Sequence, residues 1–231
     1  MENKNYSFHV PRFFYTGCTE PILAEQTLQL PIGKWTCLMG ASGSGKTTLL
    51  LFLARLSGKT VSYMAQTDLL LPWLTILDNV SLGALLRGEP QNQDKALEML
   101  KAVGLGNYAQ QYPHQLSVGM RQRVALARTL MEDRDLILMD EPFSALDTKT
   151  KTELQEYAVK TLQGKTILLV THDVSDVIRL AEVIYILKGT PSKAHRVAEM
   201  ESLLSSAPTP RPLENQALWQ NATQFLHSLY T

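Results

Sequence analysis

The stretch WTCLMGASGSGKTTLLLFLARL, residues 35–56, reads as a buried strand, a glycine-rich turn and a leucine-rich helix. WTCLM, 35–39, is apolar enough for a strand covered on both faces. Residues 47–56 have helical character, and Ser57-Gly58 supply a C-terminal stop. Between them GASGSGKTT, residues 40–48, fits G-x-x-x-x-G-K-[ST] through Gly40, Gly45, Lys46 and Thr47. Ala41, Ser42, Gly43, Ser44 and Thr48 complete the loop. Glycines let backbone N–H groups approach and cradle phosphates, and the helix N-terminus adds a favourable dipole. Lys46 supplies a point charge for the outer phosphates and Thr47 a hydroxyl for Mg²⁺.

Outward from this unit, residues 6–15 and 22–32 read as short strands separated by a TGCTEP turn. TVSYM (60–64), DLILMDEP (135–142), TILLVTH (166–172) and VIYIL (183–187) carry further apolar runs of strand length. A helix is expected over 149–163 and a short one before 183. Buried strands alternating with helices predict an α/β fold with a mostly parallel sheet. Residues 76–130 break the alternation with a helical pattern and predict an inserted helical lobe.

The second strand group supplies what the loop lacks. Asp140 ends a buried strand at the edge where open α/β sheets bind ligands, and can hold Mg²⁺. Glu141 is adjacent, points the other way, and can polarise an attacking water as a general base; alone it would equally read as a cap. His172 ends another strand on the same expected edge, where it can reach a γ-phosphate or hold Glu141 in place. A second anion device lies in QLSVGMRQRVALARTL, residues 115–130, a helix starting near Ser117. It stands about seventy residues after the first.

Composition bounds the reading. The 231 residues carry 22 basic and 22 acidic side chains, so no basic field marks a nucleic-acid or anionic-membrane surface, and no nucleic acid is expected. Cys18 and Cys37 lack metal spacing and read as reduced core thiols. MENKNYSFHV has no basic region followed by an apolar run, so no secretion signal is expected. No stretch of about eighteen apolar residues suggests a membrane span. SSAPTPRPLEN, residues 205–215, reads as an extended linker.

Together these motifs resemble the ATP-binding-cassette (ABC) family of ATPases over roughly residues 6–190. The resemblance implies a P-loop NTPase, RecA-like core with a small antiparallel β subdomain and an inserted helical subdomain at 76–130. It makes GASGSGKTT the Walker A loop, LILMDEP the Walker B strand with catalytic Glu141, and His172 the switch histidine. SALD, 144–147, matches the D-loop. Lys46 joins Glu141 and His172 in catalysis. Gln66 matches the Q-loop glutamine, which with Thr47 and Asp140 is implied to hold Mg²⁺. Tyr15 falls where the family stacks an aromatic on adenine, with Phe13 and Phe14 as competitors. LSVGM, 116–120, matches the signature LSGGQ. In the family's head-to-tail dimer, Ser117 and the Gly119 amide contact ATP held by the other chain's Walker A loop, which would explain two devices in one chain.

Three departures qualify the resemblance. Val118 and Met120 replace a signature glycine and glutamine. Lys46 and Gln66 lie close, so a β-hairpin of the antiparallel subdomain is expected to be missing. About 44 residues follow VIYIL, so the regulatory domain of the family's sugar-importer ATPases is not expected. DLLLPWLTILDNVSLG, 68–83, reads either as core or as a docking patch for a membrane partner, with Leu70, Leu71, Pro72 and Trp73 exposed. Its wording resembles importers of nitrate, sulfonates, taurine or thiamine pyrimidine precursors, and the short Q-loop approach and proline-rich tail most resemble the last. In residues 191–231, Leu218, Ala222, Phe225, Leu226 and Leu229 space an amphipathic helix, for its own domain or for a partner.

The resemblance therefore implies the ATP- and Mg²⁺-dependent subunit of an importer, peripheral on the cytoplasmic face of the inner membrane. Its partners would be a second copy of itself, two transmembrane permease subunits and an extracytoplasmic substrate-binding protein. The rival readings are a soluble ABC ATPase outside transport and a weakly hydrolysing regulatory subunit.

Overall fold

The computed structural model describes residues 5–58, 61–188, 196–200, 210, 211, 220, 223 and 224. Strands β1 (Asn5–Val10) and β2 (Gln26–Pro31) form a separate antiparallel pair. The main sheet comprises β3 (Trp35–Gly40), β4 (Val61–Met64), β5 (Leu136–Asp140), β6 (Thr166–Val170), β7 (Val183–Lys188) and β8 (Arg196–Met200). Their order is β4-β5-β6-β3-β7-β8, parallel throughout except for β7–β8. The helices are α1 (Lys46–Ser57), α2 (Ile76–Arg87), α3 (Gln93–Ala102), α4 (Val118–Met131), α5 (Thr148–Thr161) and α6 (Val174–Leu180).

Strands β3, β5 and β6 are buried at every position, as their unbroken apolar runs require. The two-residue period of the strands sorts their side chains between two cores. Cys37, Met39, Ile137, Met139, Ile167 and Leu169 share one face with residues of α2 to α6. Leu38, Leu136, Leu138, Leu168 and Val170 share the other with Leu49, Leu50 and Leu53 of α1 and with Val10, Leu28 and Leu30 of the β1–β2 pair. Val80, Leu100, Val124 and Leu126 of the helical insertion belong to the first cluster. The insertion therefore shares its interior with the sheet.

Three expectations need correction. The N-terminal strands are shorter than 6–15 and 22–32; beyond the β1–β2 ladder only a Phe13–Leu23 bridge remains. Pro11 lacks the N–H that would continue the ladder. Past 190 the main sheet continues into β8, which pairs with β7, and Arg211 is buried against α6, donating to the carbonyls of Ile178 and Ala181. Leu70 is not part of an exposed patch: Leu69 adopts a φ of 47°, which turns Leu69 outward and Leu70 inward. Of the two cysteines expected in the core, Cys37 is fully buried and Cys18 is exposed. The helix expected around Leu218–Leu229 lies largely outside the described residues, including every apolar position that defined it.

The turn from Leu71 to Thr75, before α2, is tied down by Asn79. Asn79 is fully buried; its Oδ1 accepts from the Leu71 N–H at 2.8 Å, and its Nδ2 faces the carbonyls of Leu71, Leu74 and Thr75 at 3.0–3.2 Å. Removing the amide strands buried backbone groups, so Asn79→Ala is expected to lower unfolding free energy by about 2–4 kcal/mol in urea titrations. A loss below ~0.5 kcal/mol would show that the loop is held otherwise.

Candidate active site

Because β5, β6 and β3 are parallel neighbours, their carboxyl ends open on one edge of the sheet. The loop after β3 carries residues 40–48, β5 ends in Asp140 and Glu141, and β6 leads to His172. An open cleft of about 440 Å³ there is lined by Ser42, Gly43, Lys46, Thr47, Gln66, Asp140, Glu141 and His172.

The loop is shaped by glycines where shape demands them. Gly43 and Gly45 have φ of 76° and 94°, a left-handed backbone that other residues adopt with strain. A Cβ on Gly40 would lie 2.9 Å from Ser44 Oγ and 3.0 Å from the Leu187 carbonyl, so the turn closes only around glycine. Ser44 is buried and its hydroxyl has no partner among the described residues. Lys46 Nζ donates to the carbonyls of Gly40 and Ala41 at 2.8 and 2.9 Å, folded back over the cradle. The Thr47 hydroxyl donates to Asp140 Oδ2 at 2.6 Å.

Glu141 is held unusually. Its φ is 53°, a left-handed value for a residue with a side chain, and it is nearly buried. His172 Nδ1 lies 2.6 Å from Glu141 Oε1, while the His172 ring is largely exposed. The histidine is thus placed both to orient the carboxylate and to meet a group entering the cleft. Lys151 pairs with Asp173 and Asp176 at 2.5 and 2.6 Å, which fastens the start of α6, beside His172, to α5.

The electrostatics fit a phosphate chain and a divalent cation. Burial pulls the Lys46 ammonium below the ordinary lysine range despite the carboxylates of Glu141 and Asp140. Burial likewise raises the Asp140 carboxyl, against its hydrogen bond from Thr47. Each group lacks enough counter-charge: phosphate oxygens would restore the first and a cation the second. Thr47, Asp140 and Gln66 offer the oxygen donors that Mg²⁺ prefers. No group of three or more His, Cys, Asp or Glu side chains that could hold a metal ion occurs among the described residues. Such a cation would therefore share its shell with phosphate oxygens and water.

Tyr15 sits beside this cleft, its hydroxyl 2.5 Å from Thr48 Oγ1. It lines a second, apolar recess with Phe13, Thr48, Leu51, Phe52 and Arg55. Phe13 is packed edge-on against Tyr15 and Phe52, Phe14 lies under Arg12, and Tyr15 is the one hydrogen-bonded to the loop helix through Thr48. Ser117 and Gly119 are not in the cleft. Ser117 caps α4, its Oγ accepting from the Met120 N–H at 3.2 Å, and Val118 is 62 % exposed. The valine does not pack into its own lobe. One functional candidate escaped the motif reading: Gln122, a buried polar residue on the apolar face of α4, whose signal is its place four residues before Leu126.

Fold and cleft together define an ATP-hydrolysing P-loop enzyme. The profile of the ABC transporter family matches residues 23–144. An uncharacterised ABC transporter ATP-binding protein of Haemophilus influenzae is 40 % identical over 91 % of this chain and 93 % of its own length. The aliphatic sulfonates import ATP-binding protein SsuB 1 of Paracoccus denitrificans is 44 % identical over 77 % of this chain and 78 % of its own. The nitrate import ATP-binding protein NrtD of Synechocystis is 38 % identical over 79 % and 77 %. Among solved structures, the dimeric cassette MJ0796 bound to ADP and Pi superposes with a TM-score of 0.71 at 29 % identity, covering 87 % of this chain and 98 % of that one. The chain belongs to the ABC transporter family, and its activity is ATP hydrolysis coupled to transport.

Replacing Lys46 removes the cradle's fixed charge. Lys46→Ala is expected to weaken ATP binding by about tenfold or more in calorimetric titration and to abolish phosphate release. Turnover near the parent's would refute the assignment of this loop.

Proposed function

We propose that this chain drives an importer as a head-to-tail homodimer, seated on two transmembrane permease subunits at the cytoplasmic face of the inner membrane. The observation that carries the reading is the separation of the two anion devices. Ser42, Gly43, Lys46 and Thr47 of the 40–48 loop line the cleft, while Ser117 and Gly119 stand outside it on an exposed helix start. A second copy placed head to tail supplies to each cleft the device it lacks. Among the described residues no helix is long and apolar enough to cross a membrane, so passage of cargo would need separate membrane subunits.

In this scheme the cradle N–H groups and Lys46 hold the phosphates of ATP. Thr47, Asp140 and Gln66 would hold Mg²⁺, which neutralises charge on the β- and γ-phosphates. Glu141 takes a proton from the attacking water as that water meets the γ-phosphate in line, and His172 keeps the carboxylate aimed. Tyr15 supports the adenine. Hydrolysis removes the γ-phosphate that Ser117 and Gly119 of the other copy hold, so the halves separate.

A groove beside the Q-loop fits the permease contact. It is lined by Leu69, Leu82, Leu86, Arg87, Arg128 and Glu132; Trp73, four residues after Leu69 in the chain, is exposed. For cargo, the candidate is a thiamine pyrimidine precursor delivered by an extracytoplasmic binding protein. Its support is the short approach from Lys46 to Gln66 and the proline-rich stretch 205–215. Relatives named for sulfonate and nitrate import support the broader class of small solutes. Co-purification with candidate permeases, followed by a ligand screen on the binding protein, tests this branch. A cassette that captures no membrane protein would favour the soluble alternative.

Glu141→Gln keeps shape and removes the base, so it is expected to bind ATP, stop hydrolysis and form an ATP-dependent dimer on size exclusion. A variant that stays monomeric at saturating MgATP would contradict closure by the isolated chain. Exposed Val118 adds β-branched bulk where the partner's nucleotide would approach. Val118→Gly is expected to raise dimerisation or turnover more than about threefold, and to do little in the Lys46→Ala background. Unchanged behaviour in folded Val118→Gly would mean that the valine is no brake.

A further inference from the structure

Gln122 is buried, though it carries a polar amide on a helix face otherwise packed against the core. Its Nε2 donates to the Glu141 carbonyl at 2.6 Å and lies 3.3 Å from Ser144 Oγ. Its Oε1 accepts from the Ala145 N–H at 2.9 Å. The amide orientation is fixed by these partners, since a carbonyl needs a donor and an N–H an acceptor. One side chain of α4 thus grips both ends of the segment from Glu141 to Ala145. Ser144 Oγ adds a second bond to the same Glu141 carbonyl at 3.0 Å.

The grip falls on a strained residue. Glu141 holds a φ of 53° while its N–H donates to the Val170 carbonyl at 2.9 Å. A left-handed non-glycine residue persists where its surroundings over-determine it. Here β6 fixes the N–H side and Gln122 the carbonyl side. Three residues before Gln122, Gly119 makes the close approach possible: a Cβ there would lie 2.8 Å from the Ala145 carbonyl. The signature glycine therefore has a reason within its own chain.

We propose that Gln122 is a positioning residue for Glu141, tying the geometry of the base in one chain to the placement of that chain's own signature helix. The proposal rests on Glu141 acting as the base. Because Ser117 begins the same helix, a nucleotide held by the partner at Ser117 acts on the base of the opposite site through one rigid helix and one amide. The two sites of a dimer are thereby linked without any contact between their nucleotides.

The test is a kinetic split. Gln122→Met keeps volume and removes the amide. It is expected to lower kcat about tenfold or more while KM for MgATP changes less than about twofold, because the cradle is untouched. Gln122→Glu keeps the acceptor for Ala145 and loses the donors. Protonation of the substituted carboxyl restores a donor, so its kcat relative to the parent should rise as pH falls. Should Gln122→Met fail to fold, Gln122→Glu and its pH profile carry the test alone. In the Glu141→Gln background, Gln122→Met should leave the ATP-dependent dimer intact. Loss of that dimer would place Gln122 in the interface and overturn the proposal, as would an unchanged kcat. Parent-like turnover in Glu141→Gln itself would remove the base assignment, and the proposal with it. Full kcat in Gln122→Met beside an inactive Glu141→Gln would overturn the positioning role alone.

Discussion

The parallel pairing of β6 with β3 on one side and β5 on the other is the constraint on which the site depends. Parallel neighbours end on the same edge, so three segments far apart in sequence deliver a phosphate cradle, two carboxylates and a histidine to one cleft. Burial on both faces enforces the pairing, since a slip of one residue would exchange Leu38 with Met39 and Leu138 with Met139 between two differently shaped cores. The cleft then works through unmet charge. Lys46 and Asp140 are both displaced by burial toward their neutral forms, which makes the site receptive to a magnesium–phosphate pair.

Helix α4 is the second organising element. Arg121 pairs with Asp68 at 2.9 Å, and Arg128 donates to the carbonyls of Asp68 and Leu69 at 2.7 and 3.0 Å. The same helix reaches Glu141 and Ala145 through Gln122. Its start carries Ser117, its flank holds the loop beside the proposed permease groove, and its buried face holds the base. A displacement of this helix is therefore felt at all three places, which is the physical form that coupling between docking and hydrolysis would take.

Much of this was legible in the sequence because the chemistry is local. Gly40, Gly45, Lys46 and Thr47 announce the cradle through spacing, and unbroken apolar runs announce the buried strands that end in Asp140 and His172. What escaped depended on contacts remote in sequence or on one dihedral angle. The left-handed Leu69 inverts the expected exposure of Leu70, and no propensity scale marks such a turn. Pro11 could have shortened the first strand on inspection, since it cannot donate to a ladder. The pairing of β8 with β7 escaped because RVAEM, residues 196–200, carries two charged residues in five and no unbroken apolar run. Gln122 left only a weak trace, a polar residue within an apolar stripe, because its partners lie nineteen or more residues away.

The central claim is that each chain holds half of two composite sites. Mixing two defective chains tests it most directly. Lys46→Ala disables the cradle, and Ser117→Arg fills the signature; each alone should be inactive. In a one-to-one mixture, half of randomly formed dimers are mixed and one of their two sites is intact, so turnover should recover to about one quarter of the parent's. No recovery, with both variants folded and Ser117→Arg still binding ATP, would contradict the account.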